Sequence, residues 1–107
     1  MKVAIPIDEM QGLGSQVVDH FGRAKSFLIC ETDMGTFDYL SNPEAEGKTE
    51  APPDFLKRHQ VEAVIVFGLG SAAIEKFKNH NITVYKAISK DVKENLEKLE
   101  SGSLDVL

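Results

Sequence analysis

The chain has 107 residues, 42% of them hydrophobic and 27% charged, with a net charge of −5. That length supports one domain with one core, residues 1–107, and is short for two. The acidic balance, with lysines and arginines interleaved among acids, provides no basic stripe for a nucleic-acid duplex or an anionic membrane surface.

Residues 3–7 form a short apolar run ended by Asp8 and read as the first strand. Residues 9–16 contain Gly12 and Gly14 and read as a flexible loop. Residues 26–32, rich in Phe, Leu and Ile, read as a second strand. Asp33-Met34-Gly35 is a tight turn, and residues 36–40 alternate like the returning strand of a hairpin. Residues 41–53 hold three of the four prolines and read as a loop. Pro52 and Pro53 can open a helix, because proline is tolerated in a first turn. Residues 54–60 continue that helix with Phe55 and Leu56 inward.

Residues 61–67 are nearly all apolar and β-branched, the pattern of a strand buried on both faces in a parallel sheet. The turn Gly68-Leu69-Gly70-Ser71 leads to a helix over 72–79, with Ile74 and Phe77 on one face and Asn79 and Asn81 suited to end it in a left-handed conformation. Residues 82–87 read as a further strand. Residues 89–100 form an amphipathic helix in which Val92, Leu96 and Leu99 follow the i, i+4, i+7 rule. The order is β-β-β-α-β-α-β-α, which predicts an α/β fold with a five-stranded mixed sheet and helices on its faces, an arrangement shared by ribonuclease-H-like folds.

Cys30 is the only cysteine. A lone cysteine excludes an internal disulfide and fits a reducing compartment. No apolar run nears the length of about 18 residues that spans a bilayer. The N-terminus passes from one Lys straight into a strand pattern without a signal-peptide cleavage site. A cytoplasmic protein is therefore expected.

The stretch His20-Phe21-Gly22-Arg23-Ala24 places a metal-ligating imidazole, a permissive glycine and a fixed cation within four positions, on a loop between two apolar runs. It is the most specific piece of a resemblance that also covers Met1-Lys2-Val3-Ala4-Ile5-Pro6, Phe27-Leu28-Ile29, Val64-Ile65-Val66-Phe67-Gly68, Ile82-Thr83-Val84-Tyr85-Lys86-Ala87 and the closing helix. Taken together these resemble the dinitrogenase iron–molybdenum cofactor biosynthesis proteins, the NifX-like and nitrogenase-accessory-factor-like domains. The resemblance implies a small ribonuclease-H-like domain that binds and carries an iron–sulfur or iron–molybdenum–sulfur cluster, with His20 as candidate ligand. It also implies metallocluster donor and acceptor proteins as partners. The turn at 68–71 departs from the Gly-Pro-Asn type common in that family.

Taken alone, the residues leave alternatives open. His20 is a good ligand for Fe, Zn or Mo, or it hydrogen-bonds its own loop. Arg23, with Gly22 allowing close approach, would favour an anionic cluster; the bland reading is a solvated loop charge. Gly68, Gly70 and Ser71 precede a helix whose free N–H groups suit an anion, or they only pack strand against helix with Ser71 as N-cap. The turn lacks the Gly-Lys-Ser/Thr ending of a P-loop. Cys30 continues an apolar run and reads as core. One cysteine cannot supply the four thiolates usual for a cubane cluster, so a bound cluster must be exposed, shared, or equipped with its own ligands.

His59 and His80 read as structural. No nucleophile–base set stands out, so a non-enzymatic carrier, monomeric or weakly dimeric, is expected. The alternatives are an anion- or nucleotide-binding regulatory module at 68–71 and a divalent-metal phosphohydrolase using Asp8.

Overall fold

Strands β1 (Lys2–Ile7), β2 (Ser26–Glu31), β3 (Thr36–Ser41), β4 (Ala63–Val66) and β5 (Thr83–Lys86) form one mixed sheet in a computed structural model that describes residues 1–107. The sheet order is β3-β2-β1-β4-β5. The β1–β2 and β2–β3 pairs are antiparallel, whereas β4 runs parallel to both β1 and β5. Three helices complete the fold: α1 (Pro52–Arg58), α2 (Ser71–Asn79) and α3 (Val92–Glu100).

Strand alternation divides the core into two layers. Ala4, Phe27, Ile29, Val64, Val66 and Val84 face α1 and α2, which contribute Phe55, Leu56 and Phe77. Val3, Ile5, Ile7, Leu28, Cys30 and Ile65 face α3, which contributes Val92 with Leu96 and Leu99 partly covered. Every residue of β4 is buried, as its unbroken apolar run requires when helices cover both faces. Of the expected core, only Ile74, Leu96 and Leu99 are half-buried. Val66→Ala removes two methyl groups from a side chain with 1% exposure, so it should cost about 2 kcal/mol in urea denaturation. A cost below about 0.5 kcal/mol would place Val66 outside the tightly packed layer.

The open edges differ. The chain end covers β5: Lys86 N–H donates to Asp105 O and Leu107 N–H to Val84 O, both at 2.8 Å. At β3 the edge is free, but the Asp38 carboxylate accepts the Tyr39 N–H at 2.8 Å. A charged group on an edge strand discourages further pairing.

Helix boundaries move where cap chemistry decides them. α3 begins at Val92, later than its periodicity suggests, because Asp91 Oδ1 accepts from Lys93 N–H at 3.0 Å and Glu94 N–H at 3.4 Å. The Ser89 hydroxyl accepts from Asp91 N–H instead. α2 begins at Ser71 with Gly70 as N-cap and no side-chain cap, so Ser71 does not cap it. Asn81 adopts the expected left-handed conformation after α2, at φ 58°.

Candidate functional site

The His20 loop is placed by a gap in the sheet. The β1–β4 ladder ends at the Ala4–Val64 pair, two residues before Pro6, which has no N–H to donate. Beyond that point residues 16–18 take the place beside β1. Val17 bridges to Ile7, and Val18 N–H donates to Pro6 O at 3.0 Å. Val17 N–H donates to Lys90 O at 2.9 Å, tying the same segment to the α3 entry.

The preceding residues are also held. A 3-10 turn at Gly12–Gly14 carries Gly12 at φ 58°, where a Cβ would lie 2.9 Å from the Phe37 ring. Gly12 N–H donates to Tyr39 Oη at 2.8 Å. The loop over 9–16 is therefore pinned to β3.

A second 3-10 turn, Phe21–Arg23, follows His20, and Arg23 N–H donates to His20 O at 3.0 Å. Phe21 anchors it: its ring is buried 5.2 Å from Phe27 and 5.6 Å from Phe77, edge-on to the latter. Asn42, fully buried, donates from Nδ2 to Ala24 O at 2.9 Å and accepts the Glu44 N–H at 3.1 Å. With the inner side of the turn fixed, His20, Gly22 and Arg23 are left exposed.

The 68–71 turn leaves β4 at the same end of the sheet where the His20 loop leaves β1. This is the C-terminal end of neighbouring parallel strands, where α/β sheets bind ligands. Between the two turns lies a groove of about 240 Å³. Phe21, Gly22, Pro52, Leu69, Ala72 and Phe77 form much of its wall, and its charged members are Glu44 and Lys76. The structure thus brings Gly22 and the 68–71 turn to one groove. His20 and Arg23 flank Gly22 in the chain but do not line that groove, and neither do Gly68, Gly70 or Ser71 themselves. The first N–H groups of α2 have no side-chain cap and carry the positive end of the helix dipole.

A larger, polar hollow of about 450 Å³ lies on the other side of the loop, lined by Asp8, Glu9, Asp19 and Lys90 among others. Its acids outnumber its one cation, which disfavours an anionic occupant. Asp8 has a structural task, accepting the Lys25 N–H at 3.1 Å. Nowhere do three His, Cys, Asp or Glu side chains converge as a set able to hold a metal ion. A metal at His20 or Asp8 would therefore find no complete protein ligand set and would have to bring ligands of its own.

The other candidates take structural places. Cys30 lies on β2 with 4% exposure, and burial pushes its thiol up to about 11. At pH 8 only about one thiol in a thousand is then ionised. Alkylation of Cys30 should run at least about 100-fold slower in the native protein than in urea; an equal rate would show a thiol open to solvent. His59 packs against Phe55 with the rings tilted by 57° and centroids 4.6 Å apart. Burial first, and then the Arg58 charge, hold its pKa below the ordinary value. His80 Nε2 lies 2.7 Å from Asp54 Oδ1, joining the end of α2 to α1. Asp54 is 26 positions away in the chain, so spacing gave no sign of that link.

Residues 1–102 match the dinitrogenase iron-molybdenum cofactor family. The chain belongs to that family. An uncharacterized protein of Methanocaldococcus jannaschii, MJ0580, is 29% identical over 98% of this chain and 90% of its own. A solved Thermotoga structure, described as a proposed NifB protein of the DUF35 family, is 30% identical with a TM-score of 0.81, covering 99% of this chain and 92% of that one. The apo form of the orange protein from Desulfovibrio gigas reaches a TM-score of 0.87 at 16% identity, covering 99% and 92%. At that identity the likeness is one of fold. No helix is long and apolar enough to cross a membrane.

Proposed function

We propose that this protein carries a metal–sulfur cluster, of the iron–sulfur or iron–molybdenum–sulfur kind, as cargo during metallocluster assembly. The family and the Thermotoga relative point to iron–molybdenum cofactor biosynthesis. The observation that carries the finer reading is the groove shared by Gly22 and Leu69, with His20 and Arg23 exposed on either side of Gly22 in the chain and α2 without a side-chain cap. At about 240 Å³ it is smaller than the roughly 300–1,000 Å³ of ordinary small-molecule pockets, which suits a compact cargo held partly outside.

In this reading His20 supplies one nitrogen to an exposed metal. Arg23 and the helix amides offset the negative charge of the sulfides, and Gly22 lets the cargo approach the backbone. Single-residue ligation favours release, so donor and acceptor proteins would meet the chain through modest, transient interfaces. We read residues 1–107 as one ribonuclease-H-like accessory domain without catalysis of its own, working in the cytoplasm as a monomer or weak dimer, with no nucleic-acid or membrane partner. The test is anaerobic titration with a synthetic [4Fe–4S] cluster bearing exogenous thiolates, followed by visible absorbance and gel filtration. Cluster absorbance co-eluting with the protein near one equivalent is the expected result. Absorbance that elutes only with free cluster would defeat the carrier reading.

A further inference from the structure

We propose that Glu44 is an electrostatic gate on the groove, its carboxylate weakening anionic cargo so that the cargo can be released. This inference rests on the carrier reading and assigns its regulation. Glu44 opens a 3-10 turn, Glu44–Glu46, set against the His20 turn. A Cβ at Gly22 would lie 3.3 Å from Glu44 Oε2, so the carboxylate lies directly over the glycine that would admit the cargo. The backbone of Glu44 is fixed, because its N–H donates to buried Asn42. Its carboxylate forms no ion pair, unlike neighbouring Glu46, which meets Lys48 at 3.7 Å, and Glu50, which meets Arg58 at 2.8 Å. An unpaired acid therefore lines the groove, with Lys76 as the only cation among the lining residues.

The physical consequence follows from charge. An anionic cluster in the groove is drawn by Lys76 and the α2 amides and repelled by Glu44. At the dielectric of a protein surface, one unit charge at contact range changes affinity several-fold rather than many orders of magnitude. The carboxylate does not abolish binding. It sets the affinity low enough for transfer and raises the dissociation rate, which is where affinity differences among variants of one interface mostly appear. Gly22 leaves room for either occupant: Glu44 when the groove is empty, and the cargo when the carboxylate swings outward.

The experiment uses the full chain and the same thiolate-ligated [4Fe–4S] cluster as probe, titrated anaerobically against the native protein, Glu44→Gln, Glu44→Ala, Lys76→Gln and His20→Ala. Glu44 is exposed, and native urea midpoints are expected for both of its variants. A charge gate predicts that Glu44→Gln, which keeps the side-chain shape, tightens binding about fivefold and slows release to a protein-free thiol acceptor. Glu44→Ala should gain no more than Gln, and Lys76→Gln should weaken binding. The Gln effect should shrink as salt rises from 0.05 to 0.5 M, roughly as the Debye length contracts. Tightening by Ala alone would make Glu44 a steric plug, and weakening by Gln would make it a ligand; either overturns the gate. Binding that His20→Ala weakens while Glu44→Gln leaves unchanged would sink the gate and leave the carrier reading standing. No binding by any form would end both.

Discussion

Phe77→Ala is expected to lower stability by about 3–5 kcal/mol, a large part of the roughly 5–15 kcal/mol of a typical domain. The side chain is fully buried and carries α2 onto the β4–β5 side of the sheet. It also forms the floor under Phe21, edge-on at 84° with centroids 5.6 Å apart. Truncation removes both the transfer free energy of the ring and the support of the turn that holds His20. The damage should therefore be shared with Phe21→Ala. In a double-mutant cycle read by urea denaturation, the two losses should differ from additivity by more than about 0.5 kcal/mol, as for residues in direct contact. Additive losses, or a Phe77→Ala cost near 1 kcal/mol, would mean that the aromatic cluster does not couple α2 to the site turn.

Patterns with a short physical range were the ones legible in the sequence. The apolar run at 61–67 reads as a strand buried on both faces, of which 63–66 form β4, and Pro52 with Pro53 can open a helix, as they do in α1. Both follow from local sterics and periodicity. The features that escaped reading depend on partners distant in the chain. Asn42 and Asn95 look like loop or surface residues, yet each is fully buried. Asn95 donates to Ser89 O and Asp91 O, both at 2.8 Å, and accepts the Ile88 N–H at 2.9 Å. Residues 16–18 carry no strand signal of their own and are ordered by the gap that β4 leaves beside Pro6. The reading of α3 from Ser89 starts too early, because Asp91, a good N-cap type, accepts from Lys93 and Glu94 N–H and sets the start at Val92. At the candidate site the sequence supplied the turn and the glycines, but Glu44 was invisible. Its approach to Gly22 is set by the Asn42 side chain bridging two segments that lie 18 residues apart.

His20→Ala should weaken binding of the [4Fe–4S] probe 10- to 100-fold, the scale for disturbing a metal site, or about 1.4–2.7 kcal/mol of binding free energy. The fold should change by less than about 1 kcal/mol. The separation of the two effects follows from where the turn is held. Val18 N–H on Pro6 O, the Phe21 ring and Asn42 on Ala24 O fix it from the inner side. The His20 side chain is exposed and caps no backbone N–H of the turn it precedes. The loop-capping role that its spacing allowed would require such a bond, so stability should not register its loss. Affinity should register it, because no cluster of three ligating side chains stands by to compensate. His20→Gln, which keeps a polar side chain but offers metal a poorer donor, should bind like alanine if coordination is at issue. Addition of imidazole to the alanine variant should restore part of the cluster absorbance. Unchanged affinity in His20→Ala, or a loss of several kcal/mol in stability, would return His20 to a structural role and move the cargo's attachment to Arg23 and the α2 amides.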